Sequence, residues 1–491
     1  MLIVKISRNI LFFLILFLVT FICNFRRNLF VLFLGFTFSL SIQASVQSLV
    51  REFLEQNYFL KANIQNVKEA HQIYENIWAS KTWWFDVEGG YQNNLQNDLF
   101  LQTAIDRLKG TFSRFDLGFR KDFTWGGTVS FDNKFFLHKW LMQLNQGVSF
   151  TQDLGRNFFG QTFHQGLKMA RIRESEARAM VNKNNQKLLF KFFQLYNLAR
   201  LDKTRFSLHK KAQIRAIKRE KHVKKRVDAG LLENVDLYKS KMNVITQQNA
   251  MRRAEISLAN NIEGLSGLLN RPVREDEINS FKFDNLHVER DMPGDTEDNF
   301  ALEQLNQERF KIVEKLKKID YSFIPQIKLD LSYKSIGEIS RESQDIFQGI
   351  IGTPSYVYGA SIKLLMPLGF EPEKVNRTTT RIQQNKNLYL LKGLKYELKY
   401  REIAQKKKLN ILRKNIKAGV DKRKLSYKAL AFQNNLYFHG RTELDIVLIS
   451  ERDIVVTEIG LAEYLTRLES NLAELAKVYA KLKEWLINKK D

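Results

Sequence analysis

Proline is scarce: the 491 residues contain six, and the first is Pro272. A proline inside a helix removes a hydrogen bond and clashes with the preceding turn, so the first half of the chain is free to form very long helices. Glycine is also missing between Leu167 and Ala229. The single cysteine, Cys23, excludes a disulfide framework within the chain. Acidic residues are outnumbered, 53 against 78 Lys and Arg, and the net charge of +25 favours acidic partners. No phosphate-binding glycine loop, nucleophile elbow or paired-carboxylate motif is present. The seven histidines, His71, His138, His164, His209, His222, His287 and His439, are scattered without metal-ligand spacing. The chain therefore reads as no enzyme, with no cofactor and no metal site.

Uninterrupted apolar runs are short too. Lys5 and Arg8 precede an apolar run from Ile10 to Cys23, and a second runs from Leu29 to Leu40, behind Arg26 and Arg27. Each falls short of the about 20 residues of a spanning helix. Basic residues, an apolar centre and the small-residue end Ser41-Ile42-Gln43-Ala44 read as a signal peptide over residues 1–44, cleaved after Ala44.

What is present is long-range order. Val46 to Ser80 reads as one helix, with Leu49, Phe53 and Leu54 on one face. Three alternating stretches follow, Trp83–Tyr91, Phe115–Arg120 and Thr128–Asp132, the last two flanking Trp125-Gly126-Gly127 as a turn. A fourth, Asn145–Gly155, ends where the glycine-free helix begins. That helix carries Leu188, Phe192, Leu195 and Ala199 as a packing seam. It turns back at Gly230, and the return helix, with Leu258, Ile262, Leu265 and Leu269, ends at Pro272. A polar linker over residues 273–299 leads to a second round: a helix from about Ala301, a strand from Pro325 to Tyr333, a strand passage from Tyr358 to Gly369, a long helix to Gly440 and a last helix to the C-terminus. The seam of that last helix is Leu461, Leu465, Leu468, Leu472, Leu475, Tyr479, Leu482 and Leu486.

The two rounds, residues 45–272 and 300–491, form an internal two-fold repeat. Gly147 and Gly359 are 212 residues apart, Gly155 and Gly369 are 214, and Gly230 and Gly440 are 210. The tips read Gly230-Leu231-Leu232 and Gly440-Arg441-Thr442. The strand-to-helix passages end at Gly155 and at Pro367-Leu368-Gly369. The fold class is mainly α, with long helical hairpins and a smaller β part.

Six pieces in this order, twice over, resemble the TolC-like outer-membrane efflux proteins. The carriers are Val148–Gly155 and Ala360–Gly369 at the passages, Phe192-Phe193-Gln194-Leu195 within the first long helix, Leu265–Pro272 at its hairpin's end, and the two glycine tips. The resemblance covers the chain after about Ser45. It implies an outer-membrane exit duct extending into the periplasm: a homotrimer in the lipid bilayer whose helices form a tunnel and whose four strands per chain build a twelve-stranded transmembrane barrel. Its implied partners are a periplasmic adaptor and an inner-membrane pump of the RND, ABC or MFS type, and no nucleic acid. Residues 112–136 exceed this pattern and read as an added hairpin extending the first strand pair beyond the membrane. The resemblance assigns the closed end of the tunnel to polar links near the tips, and Asp236 and Tyr437 stand at matching positions. Arg441 lies one residue early, where Thr442 takes the family's arginine position. Ile446 and Ile449 stand where acidic residues form a ring in the best-known members, with Asp445 one residue early. Asp236 and Asp445 also read as helix caps, and the basic run Lys210 to Arg226 as a solvated face or a dock for an acidic partner. A periplasmic coiled-coil adaptor is the alternative reading; it leaves the paired strands unexplained. A basic nucleic-acid-binding coiled coil is a third, and the leader opposes it.

Overall fold

The computed structural model describes residues 46–94, 110–138, 141–283, 294–340 and 355–489. The expected leader and its cleavage site lie outside them. Two helices, α1 (Val46–Gln56) and α2 (Tyr58–Ala79), lead into four strands: β1 (Trp83–Asn94), β2 (Gly110–Asp122), β3 (Gly127–His138) and β4 (Leu141–Asp153). Helix α3 (Gln161–Asp228) and helix α4 (Asn234–Leu269) form the first hairpin. The second round is α5 (Phe300–Ser322), β5 (Gln326–Ser340), β6 (Ser355–Leu365), α6 (Glu371–Phe438), α7 (Leu444–Val478) and the short α8 (Leu482–Asn488). Helices α3 and α6 each have 68 residues, so each spans about 100 Å.

The first round's single helix is two. Asn57 separates α1 from α2: its side-chain oxygen caps α2 by accepting from the Leu60 N–H at 3.0 Å, and its amide donates to the Leu268 carbonyl at 2.6 Å. The start of α2 is thereby pinned to the end of α4, and the two run end to end beside α3. Asn299 does the same in the second round. It accepts from the Ala301 N–H and donates to the Val478 carbonyl at 2.9 Å, placing α5 on the end of α7. Both asparagines are buried. Each satisfies one donor and one carbonyl that helix ends otherwise leave open.

The leucine seam from Leu461 to Leu486 is buried throughout. The helix that carries it, however, stops at Val478. Ala480 is left-handed (φ 58°), and the Lys481 N–H returns to the Ala476 carbonyl, a helix-ending turn. The remaining seam residues Leu482 and Leu486 lie on α8, which packs against α1 and α3.

All six strands form one antiparallel sheet in the order β1-β2-β3-β4-β5-β6. The sheet therefore holds the added hairpin as well as the four expected strands, and β2 and β3 stand between β1 and β4 as full members of the ladder. They do not extend beyond it. Trp83 pairs with Lys121, so the β2–β3 turn lies at the helix-side end of the sheet. The register places Phe85, Phe119, Phe131, Val148, Tyr333 and Tyr358 in one row set, and Asp86, Arg120, Asp132, Gly147, Lys334 and Gly359 in the other. Side chains alternate along each strand, so one face of the sheet is apolar and the other polar. The edges, β1 and β6, have no strand partner among the described residues.

Candidate functional site

The glycine tips have the same backbone. Gly230 and Gly440 both have φ 72°, and a Cβ on either would meet nothing within 4 Å. Their glycines are required by the left-handed conformation rather than by crowding. Behind them, the Leu231 N–H reaches the Arg226 carbonyl at 2.8 Å, and the Arg441 N–H reaches Leu436 at 2.9 Å, closing the last carbonyls of α3 and α6. Leu231 and Arg441 are exposed; Leu232 and Thr442 are partly covered.

Helices α4 and α7 restart with Glu233 and Glu443 at their N-caps, neither bonding through its side chain. Asp236 and Asp445 are therefore not caps. They occupy the first turns, where a negative charge is favoured by the helix dipole. Asp445 has a partner that the sequence did not disclose, the Lys239 ammonium of α4 at 2.6 Å, with both side chains nearly half exposed. The hydrogen bond that the Lys239 ammonium donates to the Asp445 carboxylate holds the Lys239 pKa above its ordinary value.

Tyr437 is buried in an apolar cluster with Val223, Leu444 and Val447 that joins the two hairpins at their tips. The Arg226 guanidinium lies 5.3 Å from its ring centre. Burial raises the phenol's pKa, Arg226 and Arg219 oppose that, and the Asp236 charge adds to it. Within the protomer the Tyr437 hydroxyl makes no hydrogen bond of good geometry, so Asp236 and Tyr437 are near one another but unbonded.

A buried polar link between the hairpins near the tips involves residues that spacing does not single out. Arg219 of α3 donates to the Glu451 carboxylate of α7 at 2.7 and 3.2 Å and to the Asn434 side-chain oxygen of α6 at 2.8 Å. The Arg219 and Glu451 side chains are 12% and 11% exposed. The basic run thus divides by direction: Arg219 and Arg226 turn inward to Glu451 and Tyr437, while Lys211, Lys218, Lys221, Lys224 and Lys225 are exposed. An alternation of arginine inward and lysine outward was the available signal. Ile446 and Ile449 are exposed, 41% and 48%, where the resemblance would put acids.

The other end holds the strand-to-helix passages. A Cβ on Gly155 would overlap the Pro325 carbonyl oxygen, and the flanking Leu154 and Arg156 N–H groups continue the ladder to Ile327 and Pro325. The second passage is open: Gly369 (φ 83°) has space around it, Pro367 is exposed and Leu368 is 93% exposed. The passages differ in length. Gly155 is followed by Arg156–Phe159 before the N-cap Gly160 of α3, whereas Gly369 is followed at once by Phe370, the N-cap of α6. The four extra residues receive the β2–β3 turn. A Cβ on Gly126 would press on the Asn157 carbonyl, and one on Gly160 would overlap that of Thr124.

Among the described residues no helix is long and apolar enough to cross a membrane. No family model matches the chain, and no curated protein matches it in sequence. Solved structures do. The Neisseria gonorrhoeae MtrE outer-membrane channel in its open state matches with a TM-score of 0.67 at 16% identity, over 89% of this chain and 90% of that one. The Vibrio cholerae outer-membrane protein VceC matches with 0.66 at 13%, over 89% and 96%. The Campylobacter jejuni CmeC outer-membrane channel matches with 0.67 at 9%, over 89% and 86%. Through two-faced sheet, 68-residue helices and paired tips, this chain has the fold of those outer-membrane channels.

Proposed function

We propose that the protein is the outer-membrane exit duct of a three-part export system. The carrying observation is the six-stranded sheet with one apolar face, one polar face and two edges that have no strand partner among the described residues, continued directly into two helices about 100 Å long. Open edges are not tolerated in lipid, where water cannot satisfy backbone groups, so the sheet must close with other copies of itself. Strands β1 and β6 run in opposite directions, as antiparallel closure between neighbours needs. The helices have matching needs: Ile382, Tyr389, Tyr396 and Ile403, seven residues apart on α6, are exposed, as are Val235, Tyr238, Met242 and Ile245 on α4. Such stripes pack between neighbouring helices in a ring.

The ring is a homotrimer. Its strands lie in the outer membrane, its helices cross the periplasm, and its tips meet a periplasmic adaptor that couples it to an inner-membrane pump. The exposed Leu231, Arg441 and outward lysines near the tips are the surface available to that adaptor. Asp236 and Arg441 act between protomers in holding the mouth shut, and Tyr437, its hydroxyl buried inside its own protomer, packs the tip that presents them. The test is to purify the full chain from outer membranes and add it to planar lipid bilayers. Heat-modifiable trimers that form ion-conducting pores support the proposal; a soluble monomer that never conducts overturns it.

A further inference from the structure

We propose, resting on the threefold ring above, that the added hairpin β2–β3 is part of the membrane wall and that the barrel has eighteen strands, six from each protomer, with a lumen wide enough to pass solutes that a twelve-stranded barrel excludes. Four observations on this chain carry the proposal. Both strands are paired along their length on both sides, twelve partners to β1 and eleven to β4. They keep the alternation of their neighbours: Phe115, Phe119, Phe131 and Phe135 lie on the apolar face, Arg120 and Asp132 on the polar one. A hairpin standing in water would gain nothing from four phenylalanines on one face. The turn is seated at the membrane boundary, because Trp125 lies at the same end as Trp83 and Trp84, with Phe123 at 5.2 Å and Phe150 at 5.9 Å from its ring. Aromatic girdles mark that level in outer-membrane barrels. The four extra residues Arg156–Phe159 give the turn its seat in the first passage only.

Widths agree with this reading. Where the helices meet the sheet, each protomer contributes four, α2, α3, α5 and α6, which at about 9 Å spacing occupy about 36 Å of circumference. Six strands about 4.8 Å apart and tilted about 40° occupy about 38 Å, and four would occupy about 25 Å. The sheet therefore continues the tunnel at full width instead of narrowing it. The backbone radius of the closed barrel is about 18 Å, against about 12 Å for twelve strands; side chains reduce the lumen radius to about 12 Å against about 6 Å.

The test uses the full chain in planar bilayers, with its mass in detergent measured in parallel. Polyethylene glycol of hydrodynamic radius about 9 Å, added on the outer side, should enter the barrel and lower conductance. A variant lacking residues 110–138, in which β1 pairs directly with β4, should exclude the same polymer while remaining trimeric. Should that variant fail to assemble, single cysteines in a Cys23→Ser background decide: Arg120→Cys should react with a charged, water-soluble thiol reagent and shift conductance, and Phe119→Cys should be protected by lipid. A trimer that excludes the polymer, or an Arg120→Cys channel that the reagent leaves unchanged, overturns the proposal. So does a conducting dimer, which closes twelve strands; that result leaves the duct reading standing. Absence of any conductance or insertion defeats the duct itself, and the wide barrel with it.

Discussion

Replacing Glu451 by leucine removes the carboxylate that holds Arg219 between the two hairpins. The guanidinium, 12% exposed, keeps only Asn434 at 2.8 Å. Breaking a buried pair from one side costs 3–5 kcal/mol; with one partner retained and the margin open to water, about 3 kcal/mol is expected here. The loss falls on the tip region, where the hairpins share the small cluster around Tyr437 and Val223 and the half-exposed Lys239–Asp445 pair. A change of about 3 kcal/mol shifts a local opening equilibrium about 100-fold. Amide hydrogen exchange on the assembled protein reads this directly: backbone amides of Arg219–Asp228 and Asp445–Glu451 should lose about 100-fold in protection. Amides of the mid-helix cluster around Phe192 and Leu265 should keep theirs. Arg219→Met combined with Glu451→Leu should recover most of the loss, because removing both partners leaves no stranded charge. Breaking the half-exposed Lys239–Asp445 pair by Asp445→Ala should change protection by about fivefold at most. Single-variant exchange within about threefold of wild type, with no recovery in the double variant, would show that the buried pair does not hold the tips together.

The remaining expectations are independent of that pair. Asn57→Ala removes an N-cap and the donor to the Leu268 carbonyl, so it should cost about 2–3 kcal/mol in denaturant unfolding, and Asn299→Ala a similar amount. Gly230→Ala meets no steric contact and should cost only the about 1–2 kcal/mol of left-handed backbone, with hairpin exchange as the measure. Asp236→Ala with Tyr437→Phe should raise single-channel conductance without dissociating the ring; unchanged conductance would place the gate elsewhere. Burial alone would raise the Glu469 pKa, but Lys489 and Arg200, at 2.7 and 2.9 Å, hold it below its ordinary 4.5. A carboxyl depressed in the folded state stabilises the fold above 4.5 and loses that contribution as pH falls through the lowered value, so thermal stability should drop below about pH 4.5, less steeply in Glu469→Gln.

The sequence alone determined what periodicity and backbone permission determine. Long stretches without proline or glycine are helices because nothing interrupts them, and Gly230 and Gly440 are reversals because each follows such a stretch and accepts positive φ. Clean alternation in Thr128–Asp132 and Pro325–Tyr333 marked strands with two unlike faces. These features are local, and the chain's fold class and paired tips followed from them. Tertiary structure decided whatever depends on partners distant in sequence. Asn57 looks like any polar residue in a helical run until the end of α4 arrives to accept its amide, and only then is one helix two. Arg219 and Glu451 lie 232 positions apart, and no spacing rule connects them. Whether Phe112–Phe136 stands outside the sheet or within it turned on pairing register, set by which strands lie alongside. Alternation says that a segment has two faces; which neighbours complete its hydrogen bonds is settled only when the sheet is assembled.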